Sequence, residues 1–160
     1  MQNLIIWRHA EAELESDSGH DHDRALTKRG RKDAAKMAKW LYKHLPKSTK
    51  ILCSPACRCL QTVQALQDLN PLEINITASL SIESNVEHIL QAAGNQDKDS
   101  TETILLVGHQ PNLGLLISKL LGLHESASVV KKGAVWWLTQ RQVNGLAHYY
   151  VSAVKQPRLD

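Results

Sequence analysis

The amino-acid sequence predicts an α/β fold, a three-layer α/β/α sandwich built around a mostly parallel sheet. Short apolar runs typical of buried strands alternate along the chain with amphipathic helical patterns. This alternation favours parallel strands covered by helices on both faces. A chain of 160 residues can bury one substantial core, so we expect residues 1–160 to form a single domain.

The first strand and the first helix are predicted near the amino terminus. Residues 4–7 form a continuous apolar run, and the polar stretch 13–24 has no apolar period, which predicts a loop beside the end of the strand. Thr27 is the predicted N-cap of a helix whose apolar residues recur at helical spacing until Pro46. This helix should cover one face of the sheet.

The middle of the chain continues the alternation. Residues 50–53 are a second strand-like run, and Ser54 and Pro55 match the N-cap and the first position of a following helix. A short third strand is predicted at residues 72–77, and an apolar stripe predicts a helix over residues 83–93. Strands joined by helices in this way run parallel.

The last third of the chain predicts a strand, a helix and a hairpin. A polar loop over residues 95–101 precedes a strand at residues 103–107. The helix begins at Asn112 and ends at Gly122, a glycine of the kind that follows helices. The pair Asn144-Gly145 is a strong hairpin signal, and it separates strand-like runs at residues 134–139 and 146–151.

Cationic side chains follow three of the predicted strands. Arg8 and His9 end the first strand, Arg58 stands in the helix after the second, and His109 follows the strand at residues 103–107. Open α/β sheets bind ligands at the carboxyl ends of their strands, so the four side chains should converge there. Guanidinium and imidazole groups suit the oxygens of a phosphoryl group. Taken singly, each of these residues also has an ordinary structural role.

His9 is the predicted nucleophile of this group. An imidazole with one unprotonated nitrogen can attack phosphorus, and a histidine is largely neutral above its usual pKa of about 6.5. A backbone carbonyl or similar acceptor must hold the other ring nitrogen. Arg8, Arg58 and His109 would bind the phosphoryl oxygens, where charge is held during transfer.

Three segments resemble the histidine phosphatases, a family with the phosphoglycerate mutase-like fold. They are the Arg8-His9 opening, residues 54–62 and residues 108–111, in matching order and at similar separations. The short length and residues 8–12 are most similar to the SixA-type phosphohistidine phosphatases. The resemblance covers essentially the whole chain and implies one histidine phosphatase domain, with a transient phosphohistidine on His9 that water later hydrolyses.

Two residues depart from the mutase branch of that family. Ala10 stands where the Gly after Arg-His is usual, and Glu15 stands where those enzymes tend to carry Asn. We therefore do not expect mutase activity. The proton donor to the leaving group is predicted among the carboxylates, with Asp21 first, Glu83 second and Glu11 third.

Neither a cofactor nor a metal is expected. Cys53, Cys57 and Cys59 crowd one segment, but paired C-x₂-C ligands are missing, so reduced thiols packed in a strand and a helix start are favoured over zinc. The run His20-Asp21-His22-Asp23 could bind a metal weakly, but an exposed polar loop is the favoured interpretation. Two guanidiniums and two imidazoles would supply the charge that metal ions provide elsewhere.

The net charge of +3 and the pI near 8.8 are compatible with binding to an acidic partner or to nucleic acid. The densest basic cluster, residues 28–32, opens an amphipathic helix, and the chain contains no Phe, so we do not expect nucleic-acid binding. The charge would instead help to attract an acidic phosphoprotein. No signal-peptide pattern and no membrane-length apolar run is present, which predicts a cytoplasmic protein without membrane contact.

The favoured function is hydrolysis of phosphohistidine on a partner protein, with release of phosphate. So short a chain leaves no room for a cap domain, and an open site can accept a side chain that projects from a protein surface. Two alternatives stay open: a phosphatase for a small phosphorylated metabolite, and an inactive module that binds phosphate or a phosphoprotein. The presence of both arginines and both histidines argues against the inactive module.

Overall fold

The computed structural model describes residues 2–94, 101–124 and 126–158. The strands in these ranges are β1 (Asn3–Arg8), β2 (Lys50–Cys53), β3 (Ile74–Ile76), β4 (Thr103–Gly108), β5 (Val135–Val143) and β6 (Leu146–Lys155). The α-helices are α1 (Lys28–His44), α2 (Cys57–Gln67), α3 (Val86–Ala93) and α4 (Asn112–Leu120), and short 3₁₀ turns lie at Asp21–Asp23 and Ala78–Leu80. None of these helices has the length and apolar character needed to cross a membrane.

The strands form one sheet in the order β3-β2-β4-β1-β5-β6. The first four strands of the chain run parallel, and β5 and β6 join antiparallel on one side. Arg8 lies opposite Gly108, and Cys53 lies opposite Val107. The carboxyl ends of β1, β2 and β4 therefore stop at the same edge, and the predicted mostly parallel sheet is confirmed.

Alternate residues of β1 pack against opposite layers of helices. Ile5 and Trp7 belong to an apolar cluster with α1 and α2, whereas Leu4 and Ile6 belong to a second cluster with α3 and α4. All four side chains are fully buried. Burial on both faces explains why this strand is a continuous apolar run, and it confirms the three-layer α/β/α sandwich.

Several local signals act as the sequence predicts. Thr27 caps α1, since its hydroxyl oxygen accepts a hydrogen bond from the amide of Gly30 at 2.9 Å. Gly122 follows α4 with a φ of 68°. Asn144 and Gly145 have φ values of 51° and 78°, as a tight hairpin turn requires. The two hairpin strands extend further than predicted, to Val143 and Lys155.

The start of α2 differs from the prediction. The helix begins at Cys57 with Ala56 in the N-cap position, so Ser54 is not the N-cap and Pro55 is not the first helical residue. Ser54 is fully buried, and its Oγ accepts a hydrogen bond from the amide of Ala56 at 3.3 Å. The Ser54 hydroxyl therefore stabilises the turn before α2 and does not cap the helix.

Two elements in the middle of the chain are shorter than predicted. β3 covers only Ile74–Ile76, with β2 as its single neighbour in the sheet. α3 begins at Val86 because Asn85 supplies the cap, with its side-chain oxygen 2.9 Å from the amide of His88. A polar loop is predicted over residues 95–101. Residues 95–100 of this loop lie outside the described residues.

Candidate active site

The end of β1 places Arg8 and His9 at the edge where the parallel strands stop. The amide of His9 donates to the carbonyl oxygen of Gly108 at 3.1 Å, which extends the pairing with β4 by one residue. The Nη1 atom of Arg8 donates to the carbonyl oxygen of Val130 at 2.8 Å. The His9 side chain is buried, with 7% of its surface exposed.

Arg58 reaches the same edge from the first turn of α2. Its side chain is 1% exposed, and its partners belong to the loop after β1. Nη1 donates to the carbonyl oxygen of Asp21 at 3.0 Å, and Nη2 lies 3.1 Å from the carboxylate of the same residue. A buried guanidinium without a charged partner is costly, so this contact offsets the burial of the Arg58 charge.

His109 follows β4 and completes the cluster. Its ring centroid lies 5.4 Å from that of His9, and Arg8 and Arg58 both lie close enough to lower its pKa by charge repulsion. The structure thus brings together the four predicted residues, called here the phosphoryl cluster: Arg8, His9, Arg58 and His109. They come from three strand ends, as the sequence predicts.

Both histidines of the phosphoryl cluster are neutral near pH 7. Burial lowers the pKa of His9 from its ordinary 6.5 to about 3, and the charges of neighbouring residues lower it further, against the effect of a backbone hydrogen bond. Burial, and then the charge of Arg58, lower the pKa of His109 to about 4. An imidazole that must attack phosphorus needs this neutral form.

Backbone geometry selects the tautomer of His9. Nδ1 lies 2.7 Å from the carbonyl oxygen of Ala10, and a carbonyl can only accept, so Nδ1 carries the proton. Nε2 is then the nitrogen with the free lone pair. This is the backbone acceptor that the predicted nucleophile requires.

Ser54 is a site residue that the sequence analysis missed. Its Oγ lies 2.8 Å from Nε2 of His109 and accepts a hydrogen bond from the amide of Ala56 at 3.3 Å. Ser54 therefore links the turn before α2 to the ring of His109. The only signal in the sequence at this position is the Ser-Pro pair after β2, and that pair predicts a helix cap.

Buried nitrogen atoms without partners concentrate in the phosphoryl cluster. Nε of Arg8, Nε of Arg58 and Nδ1 of His109 are buried and have no hydrogen-bond partner among the described residues. Buried polar groups are nearly always paired. Two of these atoms are guanidinium N–H donors, which suit a ligand that carries several acceptor oxygens, such as a phosphoryl group.

The candidate proton donors lie at different distances from this cluster. Asp21 is 56% exposed, and it contacts Arg58 directly and Arg24 at 2.9 Å. Partial burial opposes its ionisation, but these two arginines outweigh that effect and hold its pKa below the ordinary value. Glu83 is exposed, and its charge acts on the pKa of His109. Glu11 is half-buried and does not contribute to the pKa shift of either histidine.

The segment that carries Glu83 is tied to the helix after β4. The side-chain amide of Asn112 donates to the carbonyl oxygens of Ser81 and Ile82 at 3.4 and 3.3 Å. Asn112 itself is buried at the start of α4. Glu83 is therefore held near the end of β4, although its carboxylate is in solvent.

The cysteines take the packing positions that the sequence predicts. Cys53 and Cys59 are buried, Cys57 starts α2, and all three are free thiols. Burial raises the pKa of Cys53 and raises that of Cys59 to about 12. Within the described ranges, no group of three or more His, Cys, Asp or Glu side chains is arranged to hold a metal ion.

The sequence matches a known protein family. The family model of the histidine phosphatase superfamily (branch 1) matches residues 4–85, which include Arg8, His9 and Arg58. The chain belongs to this superfamily. The matched segment ends before His109, so the family model does not cover this residue. Only the structure shows that His109 lies with the other three residues of the phosphoryl cluster.

Relatives of this histidine phosphatase include the phosphohistidine phosphatase SixA of Escherichia coli. The two chains are 30% identical over 122 residues, which are 73% of each chain. An uncharacterised protein of Mycobacterium tuberculosis is 31% identical over 109 residues, 68% of this chain and 66% of the relative. A structure of the protein histidine phosphatase SixA complexed with tungstate has a TM-score of 0.81 at 22% identity and covers 97% of both chains, which shows that the fold is shared.

Proposed function

We propose that this histidine phosphatase hydrolyses phosphohistidine on a partner protein through a phosphorylated His9. The observation that carries the proposal is the geometry of the phosphoryl cluster: a neutral His9 whose Nδ1 is held by a carbonyl, beside three buried nitrogen atoms that have no partner among the described residues. The similarity to SixA supports the choice of phosphohistidine. We propose Arg8, Arg58 and His109 as the groups that bind the phosphoryl oxygens.

The proposed reaction has two transfers. The substrate enters with its phosphohistidine ring protonated on the nitrogen that does not carry phosphorus. Nε2 of His9 attacks phosphorus, the phosphorus–nitrogen bond of the substrate breaks with its electron pair left on the substrate nitrogen, and the ring leaves as neutral imidazole. Water then attacks phospho-His9, and the bond to Nε2 breaks. Inorganic phosphate leaves, and His9 returns to its neutral form. Donors that are already in place lower the barrier because they need no reorganisation as charge develops.

Arg58 must change partners when the substrate binds. In this structure both Nη atoms of Arg58 contact Asp21, whereas its Nε has no partner among the described residues. A phosphoryl group carries more charge than a carboxylate and binds a guanidinium in the same bidentate way. We propose that it displaces the carboxylate of Asp21 from Arg58, and that Asp21 stays beside the cluster through its ion pair with Arg24.

A substrate panel tests this proposal. Phosphate release is measured from a synthetic phosphohistidine peptide and from an aryl phosphate ester. We expect a much higher kcat/KM for the peptide. Similar values for both substrates would favour a phosphatase for small metabolites, and no turnover of either with retained phosphate binding would favour the inactive binding module.

Substitution of the oxygen-binding residues should weaken catalysis strongly. Arg58→Ala and His109→Ala should each lower kcat by about 10²–10³-fold, the scale seen when one preorganised donor to a transition state is lost. Arg24→Ala is the matched control, because Arg24 also pairs with Asp21 but stands outside the phosphoryl cluster. Steady-state kinetics on the phosphohistidine peptide measure the effect, and unchanged kinetics in either variant would remove that residue from the site.

Ser54→Ala should have a smaller effect through His109. We propose that the Ser54 hydroxyl donates to Nε2 of His109, 2.8 Å away, and so favours the tautomer with the proton on Nδ1. Alanine removes this neutral hydrogen bond, worth about 0.5–1.5 kcal/mol, and no longer favours that tautomer. We expect kcat to fall by about three- to tenfold and Ser54→Thr to restore it. The ring ¹⁵N shifts of His109 should report the change of tautomer, which a general loss of packing would not produce.

A further inference from the structure

A threonine of α2 holds the backbone immediately after His9. The amide of His9 continues the pairing with β4, since it donates to the carbonyl oxygen of Gly108 at 3.1 Å. The next amide, that of Ala10, donates to a side chain instead, Oγ1 of Thr62 at 3.0 Å. Ala10 and Thr62 are both fully buried. One buried hydroxyl therefore fixes the direction of the chain where the strand ends.

The same hydroxyl joins this segment to the helix that carries Arg58. Oγ1 of Thr62 donates to the carbonyl oxygen of Arg58 at 2.7 Å, one turn earlier in α2. A hydroxyl has one proton and two acceptor lone pairs, so it can donate to Arg58 and accept from Ala10 at the same time. The two hydrogen bonds link two strand ends that each supply a member of the phosphoryl cluster.

Ala10 connects this hydroxyl to the ring of His9. The amide of Ala10 is held by Thr62, and its carbonyl oxygen lies 2.7 Å from Nδ1 of His9. The carbonyl can meet Nδ1 only in a narrow range of backbone angles at Ala10, and a fixed amide restricts those angles. The Thr62 hydroxyl thus acts on the orientation and the tautomer of His9 without contact with the ring.

We infer that Thr62 is a positioning residue for the nucleophile. Its hydroxyl holds Ala10 so that the carbonyl of Ala10 keeps the proton on Nδ1 of His9 and leaves Nε2 to attack phosphorus. The inference rests on the proposed function. Without the hydroxyl the buried amide of Ala10 would lose its acceptor, and because buried amides are nearly always paired, the segment would rearrange. Small misplacements of a reacting group slow a reaction strongly.

The test separates the hydroxyl of Thr62 from its methyl group. Thr62→Val keeps the shape and removes the hydroxyl, whereas Thr62→Ser keeps the hydroxyl and removes the methyl. The matched control is Thr103→Val, because Thr103 is also buried and its Oγ1 accepts a hydrogen bond from the side chain of Asn3 at 3.3 Å. Thr103 is the first residue of β4, at the edge of the sheet opposite the phosphoryl cluster.

The kinetics of the three variants should follow the hydroxyl. Thr62→Val should lower kcat on the phosphohistidine peptide and on an aryl phosphate ester by about 10–10²-fold, with KM nearly unchanged, because the groups that bind the phosphoryl oxygens stay in place. Thr62→Ser and Thr103→Val should turn over like the wild type. A packing role predicts the opposite order, so a valine variant like wild type beside an impaired serine variant would overturn the inference.

The ring ¹⁵N shifts of His9, measured without substrate near pH 7, give a second readout. Wild type, Thr62→Ser and Thr103→Val should show the proton on Nδ1, and Thr62→Val should show a mixture of tautomers. An unchanged tautomer in folded Thr62→Val would overturn the inference. If Thr62→Val does not fold, Thr62→Ser decides: the wild-type tautomer supports the hydroxyl, and a mixture overturns it.

This readout is independent of the proposed function. A wild-type protein that fails to hydrolyse the phosphohistidine peptide would overturn the proposed function, and the dependence of the His9 tautomer on the Thr62 hydroxyl would still stand. Conversely, a tautomer that ignores the hydroxyl in a protein that hydrolyses the peptide would overturn only the role of Thr62.

Discussion

Replacement of His9 by alanine should abolish phosphate release, by about 10⁴-fold or more, because it removes the group that becomes phosphorylated. No other described side chain of the phosphoryl cluster can take over this step. The guanidiniums are always protonated, and Nε2 of His109 contacts the hydroxyl of Ser54 at 2.8 Å, whereas His9 has its Nδ1 proton fixed by the carbonyl of Ala10. Release of phosphate from the phosphohistidine peptide and from the aryl ester measures the loss.

The same variant should keep its fold. His9 lies just beyond the end of β1, and its backbone amide, which joins it to Gly108, is retained in alanine. Thermal unfolding followed by circular dichroism checks this expectation. His148→Ala is the matched control, since it replaces an exposed histidine on β6, and it should leave both activity and melting temperature unchanged.

The phosphorylated intermediate gives an independent test of His9. Wild-type protein mixed with radiolabelled phosphohistidine peptide and quenched in alkaline denaturant should carry label on the peptide fragment that contains His9. His9→Ala should carry none. A folded His9→Ala protein with turnover within tenfold of wild type, or label on another residue, would contradict the assignment.

The convergence of the phosphoryl cluster could be predicted because strand ends in a parallel sheet meet at one edge. Arg8 and His9 follow a continuous apolar run, and His109 follows another. The length of such runs and their continuous apolar character can be identified in the sequence. Both the strands and the edge at which they end could therefore be inferred. The placement of the four side chains required no knowledge of loop conformation.

Contacts that depend on loop paths could not be predicted in this way. The partner of Arg58 is Asp21, 37 residues away, and Arg8 donates to the carbonyl oxygen of Val130 across 122 residues. Neither contact has a periodic pattern or a spacing rule in the sequence. Ser54 was misassigned for a related reason: a serine before proline fits a helix cap locally, and only the folded chain shows that His109 lies against it.

The ion pair between Asp21 and Arg58 bears directly on the identity of the proton donor. In this structure Asp21 is held as a carboxylate, with its pKa below the ordinary value, and a carboxylate has no proton to give. A phosphoryl group that takes over Arg58 removes one of the two arginine contacts that lower this pKa and adds negative charge nearby, while the contact with Arg24 stays. Both changes raise the pKa of Asp21, so substrate binding would favour the protonated form that a donor needs.

Asp21→Asn should therefore slow hydrolysis of a phosphate ester by about 10²–10⁴-fold, the usual cost of a lost general acid, and slow hydrolysis of phosphohistidine far less. An ester leaves as a poor alkoxide unless it is protonated, whereas phosphohistidine leaves as neutral imidazole after protonation on its own ring. Glu83→Gln is the competing variant, and Asp17→Asn, in an exposed position of the same loop, is the control. Rates on an alkyl phosphate ester and on the phosphohistidine peptide are measured for all three.

The pattern across the two substrates decides between the carboxylates. If only Asp21→Asn has a large defect on the ester, Asp21 is the proton donor. The replacement of Asp21 by the phosphoryl group at Arg58 then couples substrate binding to proton transfer. A large defect on the ester only in Glu83→Gln would assign the proton to Glu83, which Asn112 holds near His109 through the preceding backbone and which needs no release from an arginine. Equal large losses on both substrates in Asp21→Asn would show that the acid is needed for every leaving group, as expected for a phosphatase of small esters.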